Sequence, residues 1–593
     1  MENQRNVILA ITLMALVLFG WPYALEVFYP ARPVTIEDAV EAPRPGLDNV
    51  GAVPDTATTS KIIRNRKAVL ADSGRVRIDA PRVGGSINLT GARIDDVVLK
   101  DYREKLDKDS DLVHLFSPAG TKDQYFAQFG WIGEGVVVPT SQTVWTTAGA
   151  KLSPATPVKL SWTNPAGQRF EILYAIDANY LITVTQRFIN TGTAPAAVRP
   201  LGLINRTSAT ADPSTYTVRN GPLGVFDDVA DFEVHYDDID DNPKKLVEYG
   251  GNIDWLGFTD HYWLSALIPA PGSSGKMAGN FRSLGDKLYQ AELLFDPRVI
   301  APGKTLETKS MLFAGAKETG LLDDYVDAKN IKLLDRAVDW GYFIWFEKPI
   351  FKLLSWLFEQ VGNFGVAIIL LTIIIRGLMF PIAQRQFASM AQMRAVQPKM
   401  KALQERYKDD KPRLQTEMME LYKKEKVNPL AGCLPIFLQI PVFFALYKVL
   451  LLAIEMRHQP FTLWIKDLSA PDPLTPVNLF GLLPFDPPSM IAIGILPIIL
   501  GVTMWLQFKL NPAPMDPVQA QVFSIMPWVL MFVMAPFAAG LQLYWSMSNI
   551  LTIAQQKWLY SRHPQLKELA AQEAADKAAK AAKEKTLKEK SGA

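Results

Sequence analysis

The chain has 593 residues, a formal net charge of +2 and 49% hydrophobic residues. Its length predicts several domains, and its near-neutral charge argues against a nucleic-acid-binding surface along the whole chain. The single cysteine, Cys433, excludes an intramolecular disulfide framework, so an exported domain would depend on its own core for stability.

The first element is an uncharged run at residues 6–25. A helix needs about 20 apolar residues to cross a bilayer, and this run has that length. No small-residue cleavage site follows it, because Trp21, Pro22 and Glu26 come there instead. We therefore predict an uncleaved signal anchor at residues 1–26, followed by a linker rich in Pro, Ala and Thr at residues 27–60.

Residues 61–330 show the period-two alternation of half-buried strands. RVRIDA at residues 75–80 and ITVTQRF at residues 182–188 are examples. PVKLSW and QRFEILYAI flank the turn sequence TNPAG, which predicts a hairpin around residues 164–167. Many short strands over this length predict one large antiparallel β-sandwich.

The same region carries few residues suited to catalysis. His114, His235 and His261 are scattered without metal-ligand spacing, and the acidic run at residues 237–241 lacks the glycine and terminal glutamate of an EF-hand loop. We predict a solvated acidic loop there. No P-loop, G-x-S-x-G or HExxH motif occurs in the sequence, so we expect no cofactor, no metal and no enzyme activity.

Residues 340–358 are rich in aromatic residues and carry few charges. They are too polar to span a bilayer, which favours an amphipathic helix that lies in the outer membrane interface. The alternative is a helix packed against the β-domain.

Further apolar stretches follow in the second half of the chain. Residues 360–384 are interrupted only by Arg376, and other candidate spans lie at residues 430–454 and 489–508. The last stretch is too long for one span and contains Pro and Gly at residues 535–540, so we divide it into two helices within residues 523–557. With the first run this predicts six crossings, whereas one kinked helix at the end would give five.

The distribution of basic residues distinguishes six membrane crossings from five. Residues 382–433 contain eleven Lys and Arg residues, whereas the loop at residues 455–488 contains two, and the tail at residues 558–593 is rich in lysine. The positive-inside rule places the basic segment and the tail in the cytoplasm. Six crossings satisfy this placement with a cytoplasmic N-terminus, and the β-sandwich then lies on the opposite side.

The basic segment at residues 385–427 has the composition of two antiparallel helices with a break at residues 409–412. Met393, Val396 and Met400 recur there at helical spacing. Such a methionine stripe either forms an adaptable binding face or packs the hairpin together. The lysine-rich tail is either solvated or binds ribosomal RNA phosphates without reading a specific nucleic-acid sequence.

Two stretches resemble a known family. They are QRQFASMAQMRAVQPKMKALQERYKDDKPRLQTEMMELYKKEKVNPLAGCLPIFLQIPVFFALYKVL, followed by PFTLWIKDLSAPDP, and then LQLYWSMSNILTIAQQKWLY. Both are similar to the YidC/Oxa/Alb family of membrane protein insertases, and the resemblance covers about residues 340–565. NPLAGCLPIFLQIPVF is its most specific part, and a sandwich after an uncleaved anchor resembles the long Gram-negative form.

The resemblance implies an insertase and chaperone in the inner membrane of a Gram-negative bacterium, with both termini in the cytoplasm. Its partners would be nascent membrane proteins, the Sec translocon, the ribosome and the lipid bilayer. Substrates would enter through a hydrophilic groove open to the cytoplasm and to lipid. The sandwich would have the shape of a sugar mutarotase without enzyme activity.

The family's groove arginine corresponds to Arg376 in IIIRGLMFP. The polar residues expected to line the groove with it are Thr372, Gln439, Gln542, Tyr544, Trp545, Ser546 and Asn549. The apolar residues expected to form a slide for the substrate helix are Pro435, Pro441, Phe443 and Met531. Trp545 departs from the family, whose members often carry a tyrosine there.

Three alternatives stay open on the sequence. A solute transporter or channel would bind an anionic substrate at Arg376, although the internal repeats usual in transporters are not visible in the sequence. A second alternative makes the sandwich a tethered carbohydrate-binding or carbohydrate-modifying module. A third gives Arg376 a structural role, held by a buried pair or by backbone carbonyls.

Overall fold

The structure is a computed structural model that describes residues 63–72, 74–211, 218–273, 276–341, 344–407, 410–425, 434–480, 482–483, 485, 492–510 and 517–562. The predicted signal anchor and linker, and the tail beyond residue 562, lie outside these residues.

The first half of the described chain is built from strands. In chain order they are β1 (Arg75–Asp79), β2 (Val83–Asn88), β3 (Arg93–Arg103), β4 (Leu112–Phe116), β5 (Tyr125–Glu134), β6 (Thr146–Thr147), β7 (Lys151–Leu152), β8 (Val158–Thr163), β9 (Arg169–Ile176), β10 (Leu181–Ile189), β11 (Ala196–Thr207), β12 (Gly221–Phe226), β13 (Val229–Asp231), β14 (Leu246–Gly251), β15 (Ile253–Thr259), β16 (Trp263–Pro269), β17 (Met277–Gly285), β18 (Leu288–Leu294), β19 (Arg298–Ile300) and β20 (Thr305–Ala316).

These strands form two sheets, which we call the sandwich. The 11-stranded sheet runs in the order β14-β17-β18-β11-β5-β3-β2-β1-β7, with β19 beside β11 and β4 beside β3. The 9-stranded sheet runs β13-β12-β15-β16-β20-β10-β9-β8-β6. Among the described residues every pairing is antiparallel except that of β1 with β7. The expected antiparallel sheets are therefore present, with one short parallel exception.

The core lies between the two sheets. Trp131 of the first sheet meets Phe170 of the second at 5.2 Å between ring centroids, and both are buried. The predicted hairpin is confirmed, because β8 pairs with β9 and the Asn164 side chain accepts the Gln168 N–H across the turn. Alternating burial along such strands is what the period-two pattern encodes.

The acidic run was wrongly predicted to be a loop. Residues Tyr236–Asp241 form a short helix, α2. His235 precedes it, and the Asp238 carboxylate accepts the His235 N–H at 2.6 Å, while Ile239 is fully buried. This local cap and one apolar anchor stabilise the helix in spite of its four carboxylates. Among the described residues, no group of three or more His, Cys, Asp or Glu side chains is placed to hold a metal ion.

The remaining elements are mainly helical. They are α1 (Arg66–Ala71), α3 (Thr319–Lys329), α4 (Ile344–Val361), α5 (Phe364–Leu378), α6 (Phe380–Arg406), α7 (Lys411–Lys424), α8 (Leu434–Leu452), α9 (Ile495–Leu510), α10 (Pro517–Met534) and α11 (Ala539–Arg562), with 3-10 turns at Leu334–Ala337, Ile454–Met456 and Pro476–Asn478. None of the helices formed by the described residues is both long and apolar enough to cross a bilayer. We call α4 to α11 the helical part.

Helix α4 connects the sandwich to the helical part. Lys348 pairs with Asp323 of α3 at 2.7 Å and with Asp335 at 2.8 Å. The buried face of α4 packs on α5 and α8, while Trp345 and Trp356 are exposed. The helix therefore contacts α3 and the 3-10 turn that follows it, and presents two tryptophans outward.

A second junction lies after α8. The Glu455 carboxylate accepts the Thr319 N–H at 3.1 Å, and His261 of the sandwich hydrogen bonds to the Leu451 carbonyl at 2.8 Å. The Arg457 guanidinium lies over the rings of Tyr262 and Trp263. Charged and aromatic groups thus fix the sandwich against the end of α8.

Candidate functional site

Arg376 lies in the last turn of α5, where a cation interacts favourably with the helix dipole. Its guanidinium donates to the hydroxyl of Ser548 on α11, with Nε 3.1 Å from Oγ and a second bond from Nη2. Ser548 is buried, at 2% exposure. Because a hydroxyl is neutral, this contact fixes the position of the guanidinium without balancing its charge, and no carboxylate pairs with Arg376 within the described residues.

Three of the polar residues expected on α11, Gln542, Ser546 and Asn549, lie on one face of the helix at spacings of four and three. Gln542 is fully buried, and its amide donates to the carbonyls of Met534 and Phe537, at 2.9 and 2.8 Å. Asn549 donates to the Thr503 hydroxyl of α9 at 3.2 Å. Ser546 is buried, and its hydroxyl has no hydrogen-bond partner within the described residues. Gln542 therefore closes the α10–α11 turn, and Asn549 ties α11 to α9.

Thr372 lies one turn before Arg376 and is fully buried. Its hydroxyl donates to the Ile368 carbonyl of its own helix at 2.6 Å. A threonine in a helix can form this bond to its own backbone, and the guanidinium of Arg376 donates to Ser548 instead of to this hydroxyl.

Two aromatic residues connect α11 to its neighbours. Tyr544 is buried and lies in the neighbourhood of the Arg376 guanidinium. Trp545 packs on Phe443 of α8 with 4.8 Å between ring centroids, and Phe443 in turn stacks on Tyr447. The indole at position 545 thus serves as a stacking surface between α8 and α11.

The expected apolar slide is spread over two helices. Met531 of α10 lies against Gly501 of α9, where an added Cβ would come 3.2 Å from the Met531 Cβ. Pro441 lies within α8 and is exposed. The side chains of Gln439 and Pro435 lie outside what the structure describes. Helix α10 also exposes a row of apolar side chains, formed by Ile525, Trp528, Val529, Phe532 and Val533.

Sequence reasoning missed the residue that holds Arg376. Ser548 belongs to a row of buried polar side chains spaced four apart on α11, which continues to Thr552 and Gln556. Thr552 bonds back to the Ser548 carbonyl at 2.7 Å, and Gln556 donates to the Leu510 carbonyl of α9 at 3.1 Å. Counting from Tyr544 in steps of four would have found this row.

Comparison with known proteins identifies the chain's relatives. Residues 75–353 match the family model described as YidC periplasmic domain, and residues 356–572 match that described as 60Kd inner membrane protein. A curated protein of Zymomonas mobilis named Membrane protein insertase YidC is 45% identical over 95% of this chain and 96% of its own length. The chain belongs to the YidC family. This confirms the resemblance seen in the sequence.

Other relatives agree with the assignment to YidC. Proteins of the same name from Rhizobium johnstonii and Sinorhizobium fredii are 43% and 44% identical over 95% of this chain. The solved structure titled "Active YidC insertase crystal structure with the first transmembrane domain resolved" has 16% identity, a TM-score of 0.35 and coverage of 82% of this chain and 95% of its own. A galactose mutarotase related enzyme from Lactobacillus acidophilus matches 41% of this chain and 97% of its own at a TM-score of 0.28. These TM-scores are too low to support an argument from either structure.

Proposed function

We propose that this chain is a membrane protein insertase of the inner membrane that passes substrate segments through a hydrophilic groove beside Arg376. The observation that carries the insertase function is 45% identity, over nearly the full length, to a relative named for that activity. The Arg376 guanidinium, which is held by the neutral Ser548 hydroxyl and has no carboxylate partner within the described residues, supports the position of the groove.

The proposed topology has six crossings, with both termini in the cytoplasm and the sandwich in the periplasm. The apolar runs along the sequence and the excess of Lys and Arg in residues 382–433 support this arrangement. The family model that matches the sandwich is described as a periplasmic domain, which favours the same side.

A charge at membrane depth costs about 2.5–3.5 kcal/mol even on insertion scales. In the proposed mechanism this cost is reduced because Arg376 faces a hydrated space along α11. Acidic residues in the short extracellular tail of a substrate are attracted to the guanidinium, which shortens the path over which they are dehydrated. The apolar surface of α10 then offers a route along which the substrate helix enters lipid. No covalent bond forms or breaks.

The proposed partners are nascent membrane proteins, the Sec translocon and the ribosome. The α6–α7 hairpin has a small core of Val396, Met400 and Met418, so part of its methionine stripe packs the hairpin together. Met419 is 60% exposed and remains available for contact. The ribosome and targeting contacts are therefore assigned to the outer faces of the hairpin and to the lysine-rich tail.

The test uses cells depleted of the native protein and complemented with variants. Two substrates are compared, a short phage-coat-like protein with an acidic extracellular tail and the same protein with a neutral tail. We expect Arg376→Ala to impair insertion of the acidic substrate strongly and Arg376→Lys to be milder. Normal insertion by both variants would show that Arg376 is not part of the groove.

The transporter alternative predicts a different result. An anion carrier would lose solute flux on depletion while the small substrate still inserts. For the carbohydrate-module alternative, deletion of most of residues 60–320 should abolish function, whereas we expect an insertase to tolerate the deletion as long as the segment near Trp340 is kept.

A further inference from the structure

The connection between α8 and α9 exposes a group of large apolar side chains. Residues 473–485 of this connection contain no Asp, Glu, Lys or Arg. Six of the side chains described here are between 40% and 81% exposed, and we call them the loop tip: Val477, Leu479, Phe480, Leu482, Leu483 and Phe485. Single exposed apolar residues are ordinary on a protein surface, whereas a group of them marks an interaction surface.

The backbone around the loop tip is folded on itself. After a 3-10 turn at Pro476–Asn478, the Phe480 N–H donates to the Thr475 carbonyl at 2.9 Å, and the Leu483 N–H donates to the Asn478 carbonyl at 3.1 Å. Backbone groups that leave water need partners within the protein. Because these groups are already paired, the loop tip can enter an apolar environment without leaving them unsatisfied.

The base of the same loop is fixed to the start of α9. Asp472 is buried, and its carboxylate accepts the Leu496 N–H at 2.7 Å and the Leu474 N–H at 3.0 Å. The Leu474 carbonyl accepts the Ile495 N–H at 3.1 Å. These bonds hold the loop tip close to the end of the helical part at which α9 begins.

Helices α4 and α5 meet at this end as well. The Asn363 side chain caps the start of α5 and donates to the carbonyl of Phe461, which belongs to the α8–α9 connection, at 2.8 Å. Helix α4 ends directly before α5, and its Trp345 and Trp356 are exposed. In the proposed topology this end lies at the periplasmic interface of the bilayer, where tryptophan side chains are enriched.

The chemistry of the loop tip favours lipid over a protein as its occupant. The tip carries no charge that could steer a partner protein. Leu482 is 81% exposed and therefore protrudes, whereas a groove that receives a helix encloses its lining residues. A bilayer interface requires only apolar side chains at the right depth.

We propose that the loop tip inserts into the outer leaflet of the bilayer and, with the exposed tryptophans of α4, fixes the depth of the helical part. Burial of its apolar side chains drives the insertion. The inference rests on the proposed topology, which places the α8–α9 connection on the periplasmic side.

Depth is measured with a nitroxide spin label on the full chain in lipid nanodiscs. The single cysteine is removed by Cys433→Ser, and Leu482→Cys or Val299→Cys provides the labelling site. Val299 is a matched control, because it is an apolar residue of β19 that is 70% exposed. We expect a higher ratio of oxygen to nickel-chelate accessibility at the Leu482→Cys label, because oxygen concentrates in lipid and the chelate stays in water.

Two other results would overturn the proposal. Equal ratios at the two labels would show that the loop tip lies in water. Protection of the Leu482→Cys label from both oxygen and the chelate would show that a partner protein or a second copy of the chain covers the tip.

Further variants test whether the apolar side chains hold the tip in lipid. Leu479 and Phe480 have left-handed backbone conformations, with φ of 51° and 61°, which aspartate tolerates better than bulky residues do. Leu479→Asp combined with Phe480→Asp therefore keeps the turn and adds two charges, and we expect the accessibility ratio to fall to that of Val299→Cys. Leu479→Met combined with Phe480→Leu is the apolar control and should retain the ratio. An unchanged ratio in the aspartate variant contradicts the proposal.

The topology is tested separately on spheroplasts with a membrane-impermeant maleimide. Lys466→Cys lies at an exposed position of the same connection, and we expect it to react without lysis. If it reacts while the Leu482→Cys label lies in water, the lipid insertion is wrong and the topology stands. If it reacts only after lysis, the proposed topology is wrong and the assignment to the outer leaflet fails with it.

Discussion

Two deeply buried arginines of the sandwich are paired with carboxylates, whereas Arg376 of the helical part is held by a neutral hydroxyl. In the sandwich, Arg75 pairs with Asp95 and Arg206 pairs with Asp260, and all four side chains are largely buried. In the helical part, Arg376 bonds to a neutral serine. Paired charges belong to a domain whose interior is fixed, whereas an uncompensated charge stays available to another molecule. Arg93 of the sandwich also bonds to a neutral group, the Gln128 side chain, at 3.2 Å, so it is the place of Arg376 within an apolar run that leads us to assign it to substrate.

The largest effect should come from breaking a pair in the sandwich. Asp95 is 2% exposed at its side chain and lies against Arg75, so Asp95→Ala leaves a buried cation without its counter-charge. Such a change costs about 3–5 kcal/mol, and we expect a lower unfolding midpoint of the purified protein in chemical denaturation. The control is Arg187→Gln at the exposed pair with Glu307, which should cost about 0–1 kcal/mol. Equal losses in both variants would contradict the role assigned to burial.

The junction between the two regions should respond to pH. Burial, helped by the negative charge of Glu318, raises the pKa of Glu455 from 4.5 to about 7. Burial lowers the pKa of His261 from 6.5 to about 4. A raised carboxyl pKa gives stability that is complete below pH 4.5 and is lost as pH rises through 7, while a lowered histidine pKa gives stability that grows as pH rises from 4 to 6.5.

The changes of stability with pH that Glu455 and His261 cause have opposite signs and largely cancel in the wild type. A variant that removes one of the two groups should reveal the effect of the other. We expect Glu455→Gln to be stabilised by rising pH between 4 and 6.5, and His261→Gln to be destabilised between 4.5 and 7. Each slope approaches about 1.4 kcal/mol per pH unit for one proton. Thermal unfolding of each variant and of the wild type across this pH range measures both pH dependences. Two variants with the same slope would show that these groups do not titrate at the junction.

The next prediction concerns a variant in which Arg376 gains a carboxylate partner, as Arg75 has in the sandwich. Ser548→Asp places a carboxylate beside the Arg376 guanidinium, so the charge is compensated before substrate arrives. We expect about a tenfold loss of insertion for the acidic-tailed substrate, equivalent to about 1.4 kcal/mol, and little loss for the neutral-tailed one. Ser548→Asn is the control, because it keeps a neutral hydrogen-bond acceptor. If Ser548→Asp inserts both substrates normally, the guanidinium charge has no role in attracting substrates.

In the sandwich, the sequence predicted local elements but not the contacts between distant parts of the chain. Period-two alternation is local, so it identified β1, β10 and the β8–β9 hairpin. The parallel pairing of Arg77 with Lys151 joins residues far apart in the chain, and no local pattern encodes it. The acidic helix was missed because aspartate has a weak helix preference, and the two features that stabilise it, the bond between His235 and Asp238 and the burial of Ile239, are tertiary or local contacts that the acidic run does not reveal.

The candidate site shows the same limit. Arg376 was found because a charge within an apolar run is conspicuous, but its partner Ser548 is an ordinary serine on a helix with many polar residues. Thr372 was expected beside Arg376 because both share a helix face, yet its hydroxyl bonds to the Ile368 carbonyl. Sequence spacing gives the face of a helix and does not decide between a local and a distant hydrogen-bond partner.

The smallest expected effect concerns the neutral polar groups of α11. Asn549→Ala removes the hydrogen bond to Thr503, which should lower stability by about 0.5–1.5 kcal/mol. Because Asn549 is buried between α9 and α11, we expect insertion of both substrates to fall by less than in Ser548→Asp. Thermal unfolding and the insertion assay are compared on the same preparations, with Asn549→Ser as the control that keeps a polar group. A large loss of insertion without any loss of stability would instead make Asn549 part of the hydrated groove. Asn549 would then serve substrates directly, as we propose for Arg376.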